Sequence, residues 1–172
     1  LPPPTHRYAL ACHDRQAHNG VSAGVIPVGF ILFLELGDGC RMRTEHQIEI
    51  RVAYHEVDSM GRLYHGHYFT YFEKARLELL RASGQIYREM EESGLYVVVS
   101  HCECRFLAAA RYDELLAVRV RVKAVRGARI EHEYEVWNQD LLVARGYATL
   151  AMVDRDGKVH RLPGHWRPAV TP

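Results

Sequence analysis

Three features of this sequence predict a mixed α+β domain: an alternating strand, a long amphipathic helix after it, and four further alternating stretches filling the rest of the chain. Over residues 47–54, Ile48, Ile50, Val52 and Tyr54 fall on one side and Gln47, Glu49, Arg51 and Ala53 on the other, the period of a half-buried strand. Tyr68, Tyr71, Phe72, Ala75, Leu79 and Ala82 then recur at helical spacing against Lys74, Glu78 and Arg81. Gly84 is placed to stop that helix. A shorter polar segment, residues 85–92, ends at Gly94, and strands are expected at 96–107, 115–125, 128–137 and 141–153. Four strands in succession imply an antiparallel meander, giving the order β, α, β, β, β, β.

One pairing is marked by charge. Arg119, Arg121 and Lys123 alternate with Val118, Val120 and Val122, while Glu131, Glu133 and Glu135 alternate with His132, Tyr134 and Val136. A hairpin turning near Gly127 sets the two charged rows opposite each other, where such pairs specify register more than they stabilise. Asp154, Asp156 and Gly157 mark a last tight turn.

The chain has 172 residues, 48% of them apolar, enough for one domain with a substantial core. Its net charge of +1 argues against a broad nucleic-acid-binding surface. Cys12, Cys40, Cys102 and Cys104 are too few and too scattered for a disulfide framework and read as reduced thiols. No metal site is expected, since no second closely spaced ligand pair accompanies Cys102 and Cys104. Residues 1–41 read as an atypical extension, a leader or an early translation start, followed by a domain over 42–162 and a tail over 163–172. The apolar run at 25–36, broken by Pro27 and Gly29, is well short of the roughly 20 residues of a membrane span, so neither a span nor export is expected and the compartment is read as cytoplasmic.

The chemistry concentrates between strand and helix. Asp58 sits in a turn closed by Gly61, and His65 and Gly66 stand where the helix begins, at unpaired N–H groups that favour negative charge. A carboxylate is already ionised at neutral pH and attacks, or takes a proton, without a separate activator. Tyr54, four residues before Asp58, is placed to orient it, and Tyr64 and Tyr68 are candidates for binding the substrate. Against this, any Asp before a Gly can simply close a turn, His65 can cap, Tyr54 and Tyr68 can pack, and Glu73 and Arg76 read as helix-surface or subunit contacts.

The run Tyr54-x-x-x-Asp58-x-x-Gly61-x-x-Tyr64-His65-x-x-Tyr68, followed by Phe72-Glu73-x-Ala75-Arg76, resembles the 4-hydroxybenzoyl-CoA thioesterase family, in particular its bacterial short acyl-CoA thioesterase branch. The likeness covers roughly residues 45–160. It implies a hotdog fold, a long central helix wrapped by an antiparallel sheet of about five strands. It also implies an acyl-CoA thioester hydrolase that releases a carboxylic acid and free CoA and needs no cofactor. In that family the acid matching Asp58 is a nucleophile or general base, and a backbone N–H near His65, with Gly66 permitting close approach, polarises the carbonyl. A homodimer or homotetramer is implied, and Arg105, Lys123 and Arg126 are candidate contacts for the CoA phosphates. Two departures stand out: Glu56-Val57-Asp58 replaces Asp-x-Asp, and Arg62 replaces a small or apolar residue. The alternatives are a hotdog hydratase or dehydratase on acyl thioesters and a non-catalytic acyl-CoA-binding protein.

Overall fold

The alternating row at the start of the described chain forms strand β1 (Glu45–Arg51), with every second side chain turned toward the interior. The structure is a computed structural model and describes residues 42–166. The expected extension 1–41, with Cys12 and Cys40, and residues 167–172 lie outside the described residues. β1 ends three residues earlier than the sequence period suggests. Val52 leaves the ladder to donate its N–H to the Glu114 carbonyl at 3.0 Å, and the chain turns into a 3-10 turn, Tyr54–Glu56. Val52 is fully buried, whereas Tyr54 is 78% exposed, so Tyr54 does not continue the apolar strand face.

Helix α1 (His65–Ala82) places Tyr68, Tyr71, Phe72, Ala75, Leu79 and Leu80 in the core. It stops where expected: Gly84 adopts φ 77° and donates its N–H to the Arg81 carbonyl, satisfying an end group of the last turn. Helix α2 (Tyr87–Glu92) follows, then β2 (Leu95–Phe106), β3 (Leu115–Arg126), β4 (Arg129–Asn138) and β5 (Leu141–Asp154). The five-stranded sheet runs β1-β3-β4-β5-β2, all pairings antiparallel. Only β3, β4 and β5 form a meander. β2 crosses to the far edge and pairs with β5, because β1 and β4 already occupy both edges of β3. Alternation locates a strand but carries no information about which neighbour it takes.

Val118, Val120, Tyr134, Val136, Leu150 and Met152 present the sheet face that receives α1. The closest approach is at Gly146, where an added Cβ would lie 2.3 Å from Phe72 Cε2. The Phe72 ring also stacks on Tyr134, with centroids 4.4 Å apart and planes 20° from parallel. Met42, Leu162 and Trp166 join the same core, so packing continues past residue 162. On the opposite face the charged rows meet across the hairpin as expected: Arg121–Glu133 at 2.7 Å, Lys123–Glu133 at 3.0 Å and Arg119–Glu135 at 3.9 Å. A register shift between Val122 and Ala124 leaves Lys123 out of the strand pairing, and both cations reach one carboxylate. Lys123 and then Arg121 hold the Glu133 carboxyl below its ordinary range.

Candidate active site

Between β1 and α1 the chain folds back on itself through a bridge between Val57 and Leu63. Within that loop the Asp58 N–H donates to the Arg62 carbonyl at 2.8 Å, and Gly61, at φ 70°, donates to the Asp58 carbonyl at 2.9 Å. Asp58 Oδ1 accepts the N–H groups of Met60 at 2.9 Å and Arg62 at 3.1 Å. The turn-forming role of this aspartate is therefore real, and it occupies one oxygen only. Oδ2 has no hydrogen-bond partner among the described residues. The exposed Arg62 serves this turn through its main chain, so its unusual side chain leaves the geometry intact.

Tyr64 caps α1 in extended conformation (φ −61°, ψ 132°), donating its N–H to the Glu56 carbonyl at 2.9 Å and accepting that of His67 at 3.0 Å. The N–H groups of His65 and Gly66 have no partner among the described residues, which leaves the positive end of an eighteen-residue helix open. The His65 ring is exposed and lies between Tyr64 (centroids 4.2 Å) and Phe106 (6.5 Å). A Cβ on Gly66 would meet Tyr64 Cε1 at 2.9 Å, so a larger residue there would push the half-exposed Tyr64 ring aside.

The other two tyrosines are placed differently from one another. Tyr68 is 2% exposed and packs edge-on against Phe106 (5.1 Å), and burial pushes its phenol up to about 12. It backs the His65 neighbourhood from within the core. Tyr54 packs its ring against Tyr112, centroids 5.4 Å apart, and makes no hydrogen bond to Asp58 among the described residues.

Glu56 is the residue the sequence left in the background. It is 7% exposed, and its Oε2 accepts both the Tyr71 hydroxyl at 2.5 Å and the Ala53 N–H at 2.9 Å. Burial alone would raise its carboxyl, but the bonds from Tyr71 and Ala53, with the charges of His67 and Lys74, outweigh it and hold the group below its ordinary range. The Tyr71 phenol is pushed up by burial and by this same partner. The only trace in the sequence was the departure from Asp-x-Asp. A pairing that spans fifteen residues leaves no local pattern.

Asp58, His65, Gly66, Tyr54, Tyr64 and Tyr68 line neither of two hollows among the described residues. A groove of about 610 Å³ runs over the charged outer face, bordered by Arg119, Arg121, Lys123 and Arg145 together with Glu133 and Glu135. Its cations and carboxylates largely pair with one another, so its size does not make it the reactive centre. Lys123 is thereby engaged, while Arg105 and Arg126 are exposed. A hollow of about 90 Å³ lies beside α1 and reaches Glu73, Arg76 and His132.

The sequence profile of the thioesterase superfamily matches residues 60–144. An acyl-CoA thioesterase of Haemophilus influenzae, YbgC, is 34% identical over 106 residues, 61% of this chain and 78% of its own. Among solved structures, a probable thioesterase from Bartonella henselae superposes with a TM-score of 0.67 at 30% identity, over 69% of this chain and 99% of that one. The DHNA-CoA thioesterase of Staphylococcus aureus gives 0.67 at 32% identity, over 69% and 80%. An antiparallel sheet enclosing one long helix, a motif with its spacing intact and relatives of this identity and coverage lead to one assignment: this chain belongs to the thioesterase superfamily and is a thioester hydrolase of the hotdog fold.

Proposed function

We propose that this protein hydrolyses acyl-CoA thioesters to a carboxylic acid and free CoA, with Asp58 as the reactive carboxylate and the first N–H groups of α1 as the oxyanion site. The observation that carries this reading is the division of labour within Asp58: Oδ1 is fixed by Met60 and Arg62, and Oδ2 is left to act. In the general-base route, Oδ2 takes a proton from water as the water oxygen attacks the thioester carbon. The carbonyl oxygen gains charge opposite the N–H groups of His65 and Gly66, and collapse of the tetrahedral adduct breaks the C–S bond and releases the thiolate. In the nucleophilic route Oδ2 itself attacks, the thiolate leaves, and water then cleaves the resulting anhydride. The acyl-CoA character of the substrate is carried over from the Haemophilus relative.

A thiol-release assay over short, long, branched and aromatic acyl-CoA esters tests the activity, and Asp58→Asn tests the residue. Asparagine keeps an oxygen for the Met60 and Arg62 N–H groups, so the loop folds as before. Loss of the charged oxygen is expected to lower kcat by about 10²–10⁴-fold with binding retained. His65→Ala is expected to cost less, because the donors at the helix start are main-chain groups. A folded Asp58→Asn variant that turns over its best ester at the parental rate overturns the assignment, and ligand binding without any thiol release favours a non-catalytic role.

A further inference from the structure

We propose that Glu56 is a positioning residue for this hydrolysis, holding the Asp58 loop at a fixed distance from the start of α1 by way of Tyr71. The inference rests on the reading of Asp58 as the reactive carboxylate. The turn around Asp58 sets its carboxylate relative to Met60 and Arg62, and the Val57–Leu63 bridge holds the base of the loop next to the helix cap, but neither reaches into α1 itself. The other ties of the loop run elsewhere, from Leu63 to the Ala110 carbonyl and from Arg62 to Arg111. Glu56, two residues before Asp58, adds a link into α1 through its side chain. Its carbonyl accepts the N–H of Tyr64, the helix cap, and its Oε2 accepts the hydroxyl of Tyr71, within the helix. The same Oε2 accepts the Ala53 N–H and so holds the start of the loop as well.

A carboxylate that is 7% exposed is an expensive way to gain stability, since apolar groups of similar volume commonly serve as well. What it supplies is direction: two donors from two elements converge on one oxygen. A displacement of about 1 Å between a reactive group and its oxyanion donors can cost on the order of 10²-fold in rate. Glu56 touches no reacting atom in this arrangement and acts through Asp58 and the helix start.

The test is steady-state thiol release by the full chain carrying Glu56→Ala, Tyr71→Phe or Glu56→Gln, with Leu79→Ala as a stability control. Leu79 is fully buried in α1, near its end away from the loop, roughly 20 Å along the helix from His65. Glu56→Ala and Tyr71→Phe are expected to lower kcat about 10- to 100-fold with KM within about twofold. Glu56→Gln, which keeps an oxygen for both donors, is expected to restore most of the loss seen with alanine. Leu79→Ala, which lowers the melting temperature without touching the tie, is expected to keep kcat near the parental value. Should Glu56→Ala not fold, Tyr71→Phe, which removes a single hydroxyl, decides the matter. Parental kcat in Tyr71→Phe, or an equal loss in Leu79→Ala, overturns the positioning role while an impaired Asp58→Asn leaves the reactive carboxylate standing. Parental turnover in Asp58→Asn overturns both.

Discussion

His132 projects from β4 toward the interior, 4% exposed, with neither ring nitrogen hydrogen-bonded among the described residues. Burial, aided by the Arg76 guanidinium, brings its pKa down to about 3 from an ordinary 6.5. The unfolded chain takes up a proton below about pH 6.5 that the folded chain refuses until about pH 3. Stability therefore falls as pH drops through that window, by up to about 1.4 kcal/mol per unit. Glu56 acts with the same sign lower down: its folded pKa is depressed, so its contribution is present above its ordinary value and lost as pH falls through the folded one. Urea midpoints at pH 7 and pH 5 isolate the histidine. The parent is expected to lose about 2 kcal/mol between them, and His132→Leu to lose much less; equal losses would refute the account. The turn at Asp58 and the helix start at His65 and Gly66 were legible because their turn and cap residues lie along one short segment. Glu56 was not, because its burial comes from Tyr71 on another element, and Tyr54 was misplaced because a strand period does not announce where its ladder ends.

The contact between α1 and the sheet turns on one glycine. Gly146 leaves room for the Phe72 ring, which stacks on Tyr134, the residue opposite Gly146 on β4. Gly146→Ala puts a methyl group 2.3 Å from that ring, and Phe72, fully buried, has little room to withdraw. Overpacking of this kind costs about 1–3 kcal/mol, to be read from the shift in urea midpoint. An unchanged midpoint would show that α1 lifts freely from the sheet. The strands and α1 were legible within a few residues because period 2 and period 3.6 are local, and the β3–β4 hairpin because its charges are complementary. The place of β2 was not legible, since it depends on the chain crossing over through α1 and α2.

At the scale of the whole molecule, β2 has β5 as its single sheet neighbour among the described residues, and its Val98 and Val99 are 43% and 46% exposed. An edge strand with apolar side chains in water is a template for pairing. We propose that two copies join along this edge. Light scattering at micromolar concentration is expected to give at least twice the 19.8 kDa chain mass, and a fully active monomer would overturn the proposal.

The sheet order also imposes a sequence in time. During synthesis the loop bearing Asp58 leaves the ribosome early, but β1 hydrogen-bonds to β3, and the loop's anchors on the side away from α1 are Ala110 and Glu114. All of these emerge only after both helices and β2. The meander of β3, β4 and β5 closes through short turns between neighbours, whereas β1 must wait for a partner far along the chain. The reactive loop is thus among the first parts of the described chain to be made, and it gains its sheet-side anchors only once both helices and β2 have followed it.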